Sequence, residues 1–184
     1  VDSQDRPAFT SGNVTATLSA TTLYNGPAYV YYLGANDVPL EEYVGTVSGG
    51  KVTVTLNHFS TYGITGTKQD TAVADVNGTL YTDLKAAIAA ANDSQDATVT
   101  VKLLAGVVVD NDGATENTGV FNITRSMTID GQTHTVKASD TYDSETDYHI
   151  FNISAQNVEL KNMTIDGNQK AKHGIQVFHT SNVT

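Results

Sequence analysis

The stretch Val-Phe-Asn-Ile-Thr at residues 120–124 returns as Ile-Phe-Asn-Ile-Ser at residues 150–154. A second repeated stretch, Met-Thr-Ile-Asp-Gly, occupies residues 127–131 and again residues 163–167. Within these stretches, apolar and polar residues alternate with the two-residue period of a half-buried strand. The repeats therefore predict copies of one β-structured unit following each other along the chain.

The spacing of the copies indicates stacked coils. A third copy begins at residues 175–178 (Ile-Gln-Val-Phe), and taking Met127, Val158 and Val183 as equivalent gives repeat lengths of 31 and 25 residues. Periods of about 20 to 50 residues are typical of solenoid proteins. The longer repeat contains a polar insertion at residues 139–147. Leucine-rich and helical repeats are excluded, because the leucine ladder is missing and the period is two. We expect a parallel β-helix, right-handed by the usual chirality of parallel crossovers.

A different pattern precedes the repeats. Asn77-Gly78 predicts a hairpin turn, Thr82 is the expected helix N-cap, and Asp83 falls in the first helical turn. An apolar stripe with helical spacing follows at Leu84, Ala87, Ile88 and Ala91. A strand is expected at residues 98–104. Because an open solenoid would expose a strand edge and an apolar floor, this helix is expected to cap the first coil.

Residues 13–65 follow the two-residue period as well, with turns at Asn25-Gly26-Pro27, Gly34–Asp37 and Ser48-Gly49-Gly50. Short strands separated by such turns favour an antiparallel β-sandwich. We therefore expect a mainly β chain in three parts: a small sandwich over residues 1–66, a polar linker over 67–72, and the capped start of a parallel β-helix over 73–184. Both ends are expected to be cut from a longer protein.

The composition narrows the classes of function. The net charge is −10, with only 10 Lys and Arg residues that form no patch, so nucleic acid and anionic membranes are disfavoured as partners. No apolar run is long enough to span a bilayer. There is no Cys, and Thr, Asn, Ser and Gly supply the polarity, which suits an exported bacterial protein better than a disulfide-rich eukaryotic domain.

Two segments resemble known families. The ending KVTVTLNHFSTYGI at residues 51–64, after the strand AYVYYLG, resembles the last strands of an immunoglobulin-like β-sandwich module of Gram-positive cell-surface proteins, which ends in an "HFSTY" strand. The order NGTLYTDLKAAIAAA…TVTVKLLAG from Asn77 resembles the cap of bacterial β-helix domains of the pectate-lyase-like superfamily. The resemblance implies an extracellular location at the bacterial surface or cell wall, and it implies no reaction.

Candidate catalytic residues come from the repeats. Asp130 and Asp166 both follow an isoleucine and precede a glycine, and equivalent corners of a stacked coil lie about 4.8 Å apart. Two close carboxylates would suit acid–base chemistry on a sugar or hold a metal ion. The alternative is that Asp-Gly only makes the turn.

His173 opens a His-Gly-Ile segment that resembles strands of polysaccharide-degrading β-helix enzymes, where such a histidine belongs to the active site. The Asn-Thr-Asp, Asp-Asp and Arg-x-Lys motifs of polygalacturonase-like enzymes are missing from residues 1–184. The alternative role is a turn histidine before a buried isoleucine. Whether the chain is an enzyme, a glycosidase or lyase, therefore stays open.

Three further groups of side chains bear on ligand binding or catalysis. Asp110 and Asp112, with Glu116 nearby, suggest a calcium loop, although the spacing of the full motif is absent and a solvated turn is the alternative. No other cofactor is expected. His58 with Ser60 and Tyr62 has no orienting third group for nucleophilic catalysis. Tyr24, Tyr29, Tyr31, Tyr32 and Tyr43 would suit a sugar-stacking platform, or the sheet core.

Three hypotheses for function follow. The first is a surface module that binds or presents to complex carbohydrate, on a host surface or elsewhere. The second is a structural or adhesive stalk, and the third is part of a glycoside hydrolase or polysaccharide lyase whose active site lies partly beyond residue 184. End-to-end self-association through the open end of the coil is expected in addition.

Overall fold

The computed structural model describes residues 12–111, 119–142, 149–178, 180 and 182–184. Strands predominate among these residues, as the sequence predicts, and they contain one α-helix. The chain divides into two compact units, Val1–Thr71 and Ala72–Thr184, and the boundary lies within the stretch predicted as a linker. We call them the antiparallel unit and the parallel unit.

The described residues of the antiparallel unit form five strands: β1 Val14–Ser19, β2 Gly26–Leu33, β3 Pro39–Ser48, β4 Lys51–Leu56 and β5 Tyr62–Thr65. They are hydrogen-bonded in the order β1-β4-β3-β2-β5, and every pairing is antiparallel. In β4, Val52, Val54 and Leu56 are buried and the residues between them are exposed. This alternation is the two-residue period read from the sequence.

The antiparallel unit has two layers. β3 and β4 pair only beside their shared hairpin turn, where Val47 lies opposite Val52. Further along, β4 lies over the face of β3, since a Cβ added at Gly45 would lie 2.6 Å from Val52 Cγ2 and 2.9 Å from Val54 Cγ1. The β1–β4 ribbon thus packs closely against β2, β3 and β5, an arrangement that fits a β-sandwich.

The parallel unit opens with a hairpin of β6 Ala74–Val76 and β7 Thr79–Tyr81, followed by the helix α1 Leu84–Asp93. Asn77 (φ 48°) and Gly78 (φ 93°) form the predicted turn. The N-cap is Asp83 rather than Thr82, and its Oδ1 accepts a hydrogen bond from Ala86 N at 2.6 Å. An aspartate serves here because its carboxylate binds an unpaired N–H at the positive end of the helix dipole. The expected stripe is buried: Leu84, Ala87, Ile88 and Ala91.

In the described part of the remaining chain, nine strands follow in three sets of three, which we call coils. The first coil has β8 Thr100–Leu103, β9 Val107–Val109 and β10 Gly119–Ile123; the second has β11 Met127–Asp130, β12 Thr135–Ala138 and β13 His149–Ile153; the third has β14 Val158–Lys161, β15 Thr164–Asp166 and β16 His173–Val177. Equivalent strands of successive coils pair in parallel, giving a first (β8-β11-β14), second (β9-β12-β15) and third (β10-β13-β16) sheet. Met127 pairs with Val158, and Val158 bridges Val183, so the repeat lengths inferred from these residues are confirmed.

Equivalent apolar side chains form ladders in the core of the parallel unit. Phe121 lies opposite Phe151, both are buried, and their ring centroids are 5.1 Å apart. The next position is filled by Ile175 and not by Phe178, which is 54% exposed. Phe178, the last residue of the third copy, lies outside the ladder, because His173 aligns with His149 and Phe178 then falls one residue past the end of β16.

The helix covers the open edge of the third sheet with an amide side chain. Asn92 Nδ2 donates to Asn122 O at 2.8 Å, and Thr124 N donates to Asn92 Oδ1 at 3.0 Å. One side chain thus supplies the donor and acceptor that a neighbouring strand would supply to β10. The helix stripe belongs to the same buried cluster as Leu103 and Phe121, as expected of a cap.

The two Met-Thr-Ile-Asp-Gly segments are not equivalent in space. Met127 lies in the first sheet, where Val158 is its partner, whereas Asp166 lies in the second sheet, opposite Lys137. The two segments share an Asp-Gly turn, which occurs at two different corners of the coil. A Cβ added at Gly131 would lie 2.2 Å from Met163 Cβ, whereas one at Gly167 would lie 3.6 Å from its nearest neighbour, Ala171 Cβ.

We expect Gly131→Ala to lower the free energy of unfolding by about 1–3 kcal/mol, because the added methyl group overlaps the next coil. Gly167→Ala is the matched control, with the same turn sequence and room for the methyl group. Urea unfolding monitored by circular dichroism measures both. Equal destabilisation by the two substitutions would contradict the stacking of Met163 on Gly131.

Candidate functional site

The outer face of the first sheet carries a row of alternating charges. The register pairs Asp75 with Lys102, Lys102 with Asp130, and Asp130 with Lys161. The alternate residues of these strands are apolar and turn into the core, Val101 and Ile129 being fully buried. Strand alternation therefore sends the charged residues to the surface.

A second row runs beside the first, where Thr128 lies opposite Thr100 on one side and Glu159 on the other. Thr128 Oγ1 donates to Glu159 Oε2 at 3.4 Å, and Lys161 Nζ lies 3.0 Å from the same oxygen. We call the two rows together the polar face: Asp75, Thr100, Lys102, Thr128, Asp130, Glu159 and Lys161. Neighbouring strands place its members about 4.8 Å apart along the direction in which the coils stack.

A groove of about 320 Å³ lies at one end of the polar face and is lined by Asp75, Asn77, Gly78, Thr100 and Lys102. Asp75 Oδ1 accepts from Gly78 N at 2.7 Å, which fixes the carboxylate. Thr100 N donates to Asn77 Oδ1 at 3.0 Å. Lys102 is exposed and has no ion-pair partner within the described residues. The groove thus offers hydrogen-bonded acceptors beside an exposed donor, and its lining contains no apolar side chain.

Asp130, a predicted catalytic candidate, lies on the polar face as a turn residue. Its Oδ1 accepts from Gln132 N at 3.1 Å and from Asn162 Nδ2 at 3.1 Å. The backbone hydrogen bond from Gln132 is the main reason that the pKa of Asp130 is lowered. The carboxylate is therefore ionised at neutral pH, as an acceptor and not as a general acid.

Asp166 does not stack on Asp130. Its Oδ1 accepts from Asn168 N at 2.8 Å, and its Oδ2 lies 3.6 Å from Lys137 Nζ in the second sheet. The expectation of two carboxylates at equivalent corners is wrong, because the Asp-Gly turn recurs at different corners of the coil. The carboxylate of each aspartate accepts a hydrogen bond from the backbone N–H of the residue two positions later in the chain. This is the turn-forming role that is the alternative to a catalytic one.

His173 lies in the third sheet opposite His149, which the sequence analysis did not single out. The two Nδ1 atoms are 3.2 Å apart, and His149 is only 1% exposed. The signal was present in the repeat, since His149 precedes Phe151 by two residues and His173 precedes Ile175 by two residues. Aligning the copies on those positions places both histidines in one ladder.

Asp110, the first residue of the expected calcium loop, is bound by the neighbouring coil. Its Oδ2 accepts from Thr141 Oγ1 at 2.6 Å and from Ser139 Oγ at 3.0 Å, and the Thr141 hydroxyl contributes most to lowering its pKa. Asp112 and Glu116 lie outside the described residues. Among the residues that are described, no group of three or more His, Asp or Glu side chains converges on one point.

The predicted His58 group lies at the rim of the antiparallel unit. The register sets Tyr32 between Glu41 and Tyr62 on one face of the sheet. The His58 ring packs edge-on against Tyr32, with centroids 4.5 Å apart, and its Nε2 lies 3.4 Å from Glu41 Oε1. Tyr43 OH donates to Glu41 Oε2 at 2.6 Å. We call these five residues the rim cluster.

The rim cluster is held together by its own hydrogen bonds. Tyr62 OH donates to His58 O at 2.6 Å and lies 3.1 Å from His58 Nδ1. Burial alone would raise the pKa of Glu41, but hydrogen bonds from Tyr43 and His58 outweigh it and lower the pKa. Burial, followed by the Glu41 carboxylate, raises the pKa of Tyr43. The His58 ring packs against both Tyr32 and Tyr62. This geometry favours a structural role for His58 over a role in a nucleophile–base pair.

The expected tyrosine platform is divided between different environments. Tyr31 is 1% exposed, and its hydroxyl donates to Glu42 Oε2 at 3.0 Å and accepts from Gln69 N at 2.7 Å. Tyr24 is 97% exposed. Tyr32 and Tyr43 belong to the rim cluster. The aromatic face available to a sugar on this unit is therefore smaller than the sequence indicates.

We expect the difference in unfolding free energy between the wild type and Glu41→Gln to be largest above about pH 4.5 and to shrink as the pH falls below it. The reason is that a carboxylate with a lowered pKa stabilises the fold only while it is ionised. Urea unfolding of both proteins between about pH 7 and pH 3 measures the difference. A difference independent of pH would contradict the network around Glu41.

Among the described residues, no helix has the length and apolar character needed to cross a membrane. No family model, curated protein or solved structure matches the chain. The polar face is therefore the observation from which a function is inferred.

Proposed function

We propose that this chain is part of an extracellular bacterial surface protein whose parallel unit binds a linear carbohydrate along the polar face. The observation that carries the proposal is the register that aligns Asp75, Lys102, Asp130 and Lys161 in one row, with the groove at its first two members. The ligand lies across the strands, along the direction in which the coils stack.

The chemistry of the row supports a hydroxyl-rich ligand. A sugar hydroxyl both donates and accepts, so it pairs equally well with a carboxylate and with an ammonium group. The polar face carries three carboxylates and two lysines, which favours a neutral glycan over a polyanion. The spacing of about 4.8 Å between strands is close to the length of one sugar ring in an extended polysaccharide, so successive rings meet equivalent positions.

The architecture fits the same proposal. We interpret the three stacked coils as the start of a right-handed parallel β-helix of the pectate-lyase-like kind, capped by α1, and the antiparallel unit as an immunoglobulin-like module. Three parallel sheets visited in turn, with Phe121 above Phe151, support the first interpretation. The two-layer packing over Gly45 supports the second. Modules of these two kinds suit an exposed, multi-domain surface protein.

We expect Lys102→Gln to weaken binding of the best glycan at least about tenfold, because a hydrogen bond to a charged group contributes about 1.5–3 kcal/mol. A glycan array identifies the ligand, and isothermal titration calorimetry measures the variants. The matched control is Lys51→Gln, the same change at an exposed lysine of the antiparallel unit. Binding unaffected by Lys102→Gln would sink the assignment of the polar face.

A structural or adhesive stalk is the second candidate. It is favoured by the regular pairing of all three sheets, since stacked coils give stiff reach without a ligand of their own. Absence of binding across the array would favour it. The enzyme hypothesis gains no support from Asp130 and Asp166, which are turn acceptors in different sheets.

We also propose end-to-end association of two copies through the third coil. Among the described strands, β16 has a paired neighbour on one side only, and Ile175 and Val177 are 42% and 48% exposed. Sedimentation velocity is expected to show concentration-dependent dimers that Val177→Lys abolishes, because a charged residue opposes strand pairing at an edge. Val44→Lys, at an apolar residue 66% exposed in the antiparallel unit, is the control. A wild type that stays monomeric at high concentration would rule out the association.

A further inference from the structure

Two imidazole rings meet in the third sheet of the parallel unit. His149 on β13 lies opposite His173 on β16, and the equivalent residue on β10 is Gly119. The Nδ1 atoms are 3.2 Å apart while the ring centroids are 5.0 Å apart, so the rings turn their Nδ1 edges toward each other. Within the part of the chain that the structure describes, neither ring forms an ion pair with a carboxylate.

The spacing suits a shared ion. Two imidazole nitrogens bound to one tetrahedral zinc ion, each at about 2.0–2.1 Å, lie about 3.3 Å from one another. The backbone pairing of β13 with β16 keeps the two rings in register, so both Nδ1 atoms lie within reach of one ion. Imidazole nitrogens are ligands that zinc, copper and nickel all prefer.

Burial and exposure divide the roles of the two rings. His149 is 1% exposed, so its ring is enclosed by the packed coils. His173 lies at the surface, so an ion and its remaining water ligands reach the pair from that side. Two protein ligands completed by water make a modest site rather than a closed structural one.

The second nitrogen of the buried ring limits the affinity. In the described part of the chain, His149 Nε2 is buried without a hydrogen-bond partner. Without metal, the favourable tautomer carries its proton on Nδ1 and donates it to His173, which leaves Nε2 as a bare acceptor. A metal ion replaces that shared proton and moves the His149 proton to Nε2, so binding is weaker than at a fully solvated histidine pair.

We propose that His149 and His173 form a binding site for one divalent transition-metal ion, held through both Nδ1 atoms. This site is independent of the polar face and does not rest on carbohydrate binding. The ion would join the second and third coils across β13 and β16, and so would hold the outermost strand of the third sheet in place.

The test is calorimetric titration of the whole chain with ZnCl2, followed by NMR of the imidazole nitrogens. One zinc ion per chain is expected, with both Nδ1 resonances shifted. His173→Ala is expected to weaken binding at least about tenfold, since even outer-sphere changes cost 10–100-fold. His134→Ala is the matched control and is expected to leave binding unchanged.

Three results would overturn the proposal: no zinc binding by the wild type, unchanged affinity in His173→Ala, or an equal loss in a control variant. His149→Leu removes the buried ligand while filling its space. If that variant fails to fold by circular dichroism, His173→Ala still decides, because its side chain is exposed. NMR shifts confined to Nε2 would equally refute the bridging geometry.

Discussion

Parallel hydrogen bonding between equivalent strands of successive coils is the constraint from which the parallel unit follows. A parallel ladder holds each residue beside its counterpart one coil away. Side chains at equivalent positions of successive coils therefore form columns. Phe121 and Phe151 then share the core, and His149 meets His173. The charges of the first sheet line up for the same reason, although they lie far apart in the sequence.

The two-residue period and the repeat lengths were enough to predict strands, coils and cap, because each depends on burying one face of a regular element. The alignment through Met127, Val158 and Val183 held, since it matched apolar residues that enter the core. The match between the two Met-Thr-Ile-Asp-Gly segments misled the site prediction. Local turn chemistry selects Asp-Gly wherever the chain must bend, whereas only core packing reports the position within a coil.

The candidate sites were harder to read for a related reason. An isolated lysine such as Lys102 does not indicate a site in the sequence. It becomes part of a charged row only because Asp75 and Asp130 lie in the adjoining strands. The strand of Asp75 pairs antiparallel to that of Lys102, so the repeat pattern does not predict this contact. In the antiparallel unit, the sequence predicts the strand that contains HFSTY but not the contact between His58 of this segment and Glu41. That contact depends on β4 leaving β3 after the hairpin and folding over Gly45, which no local pattern encodes.

The amide of Asn92 gives the parallel unit a direction. At the helix side, the edge of β10 is already satisfied at Asn122 O and Thr124 N, so an incoming strand finds neither a free donor nor a free acceptor at these atoms. At the opposite side, β16 offers its backbone groups along the outer edge. For the third sheet, the described residues therefore favour pairing with an added strand beside β16 and oppose it beside β10.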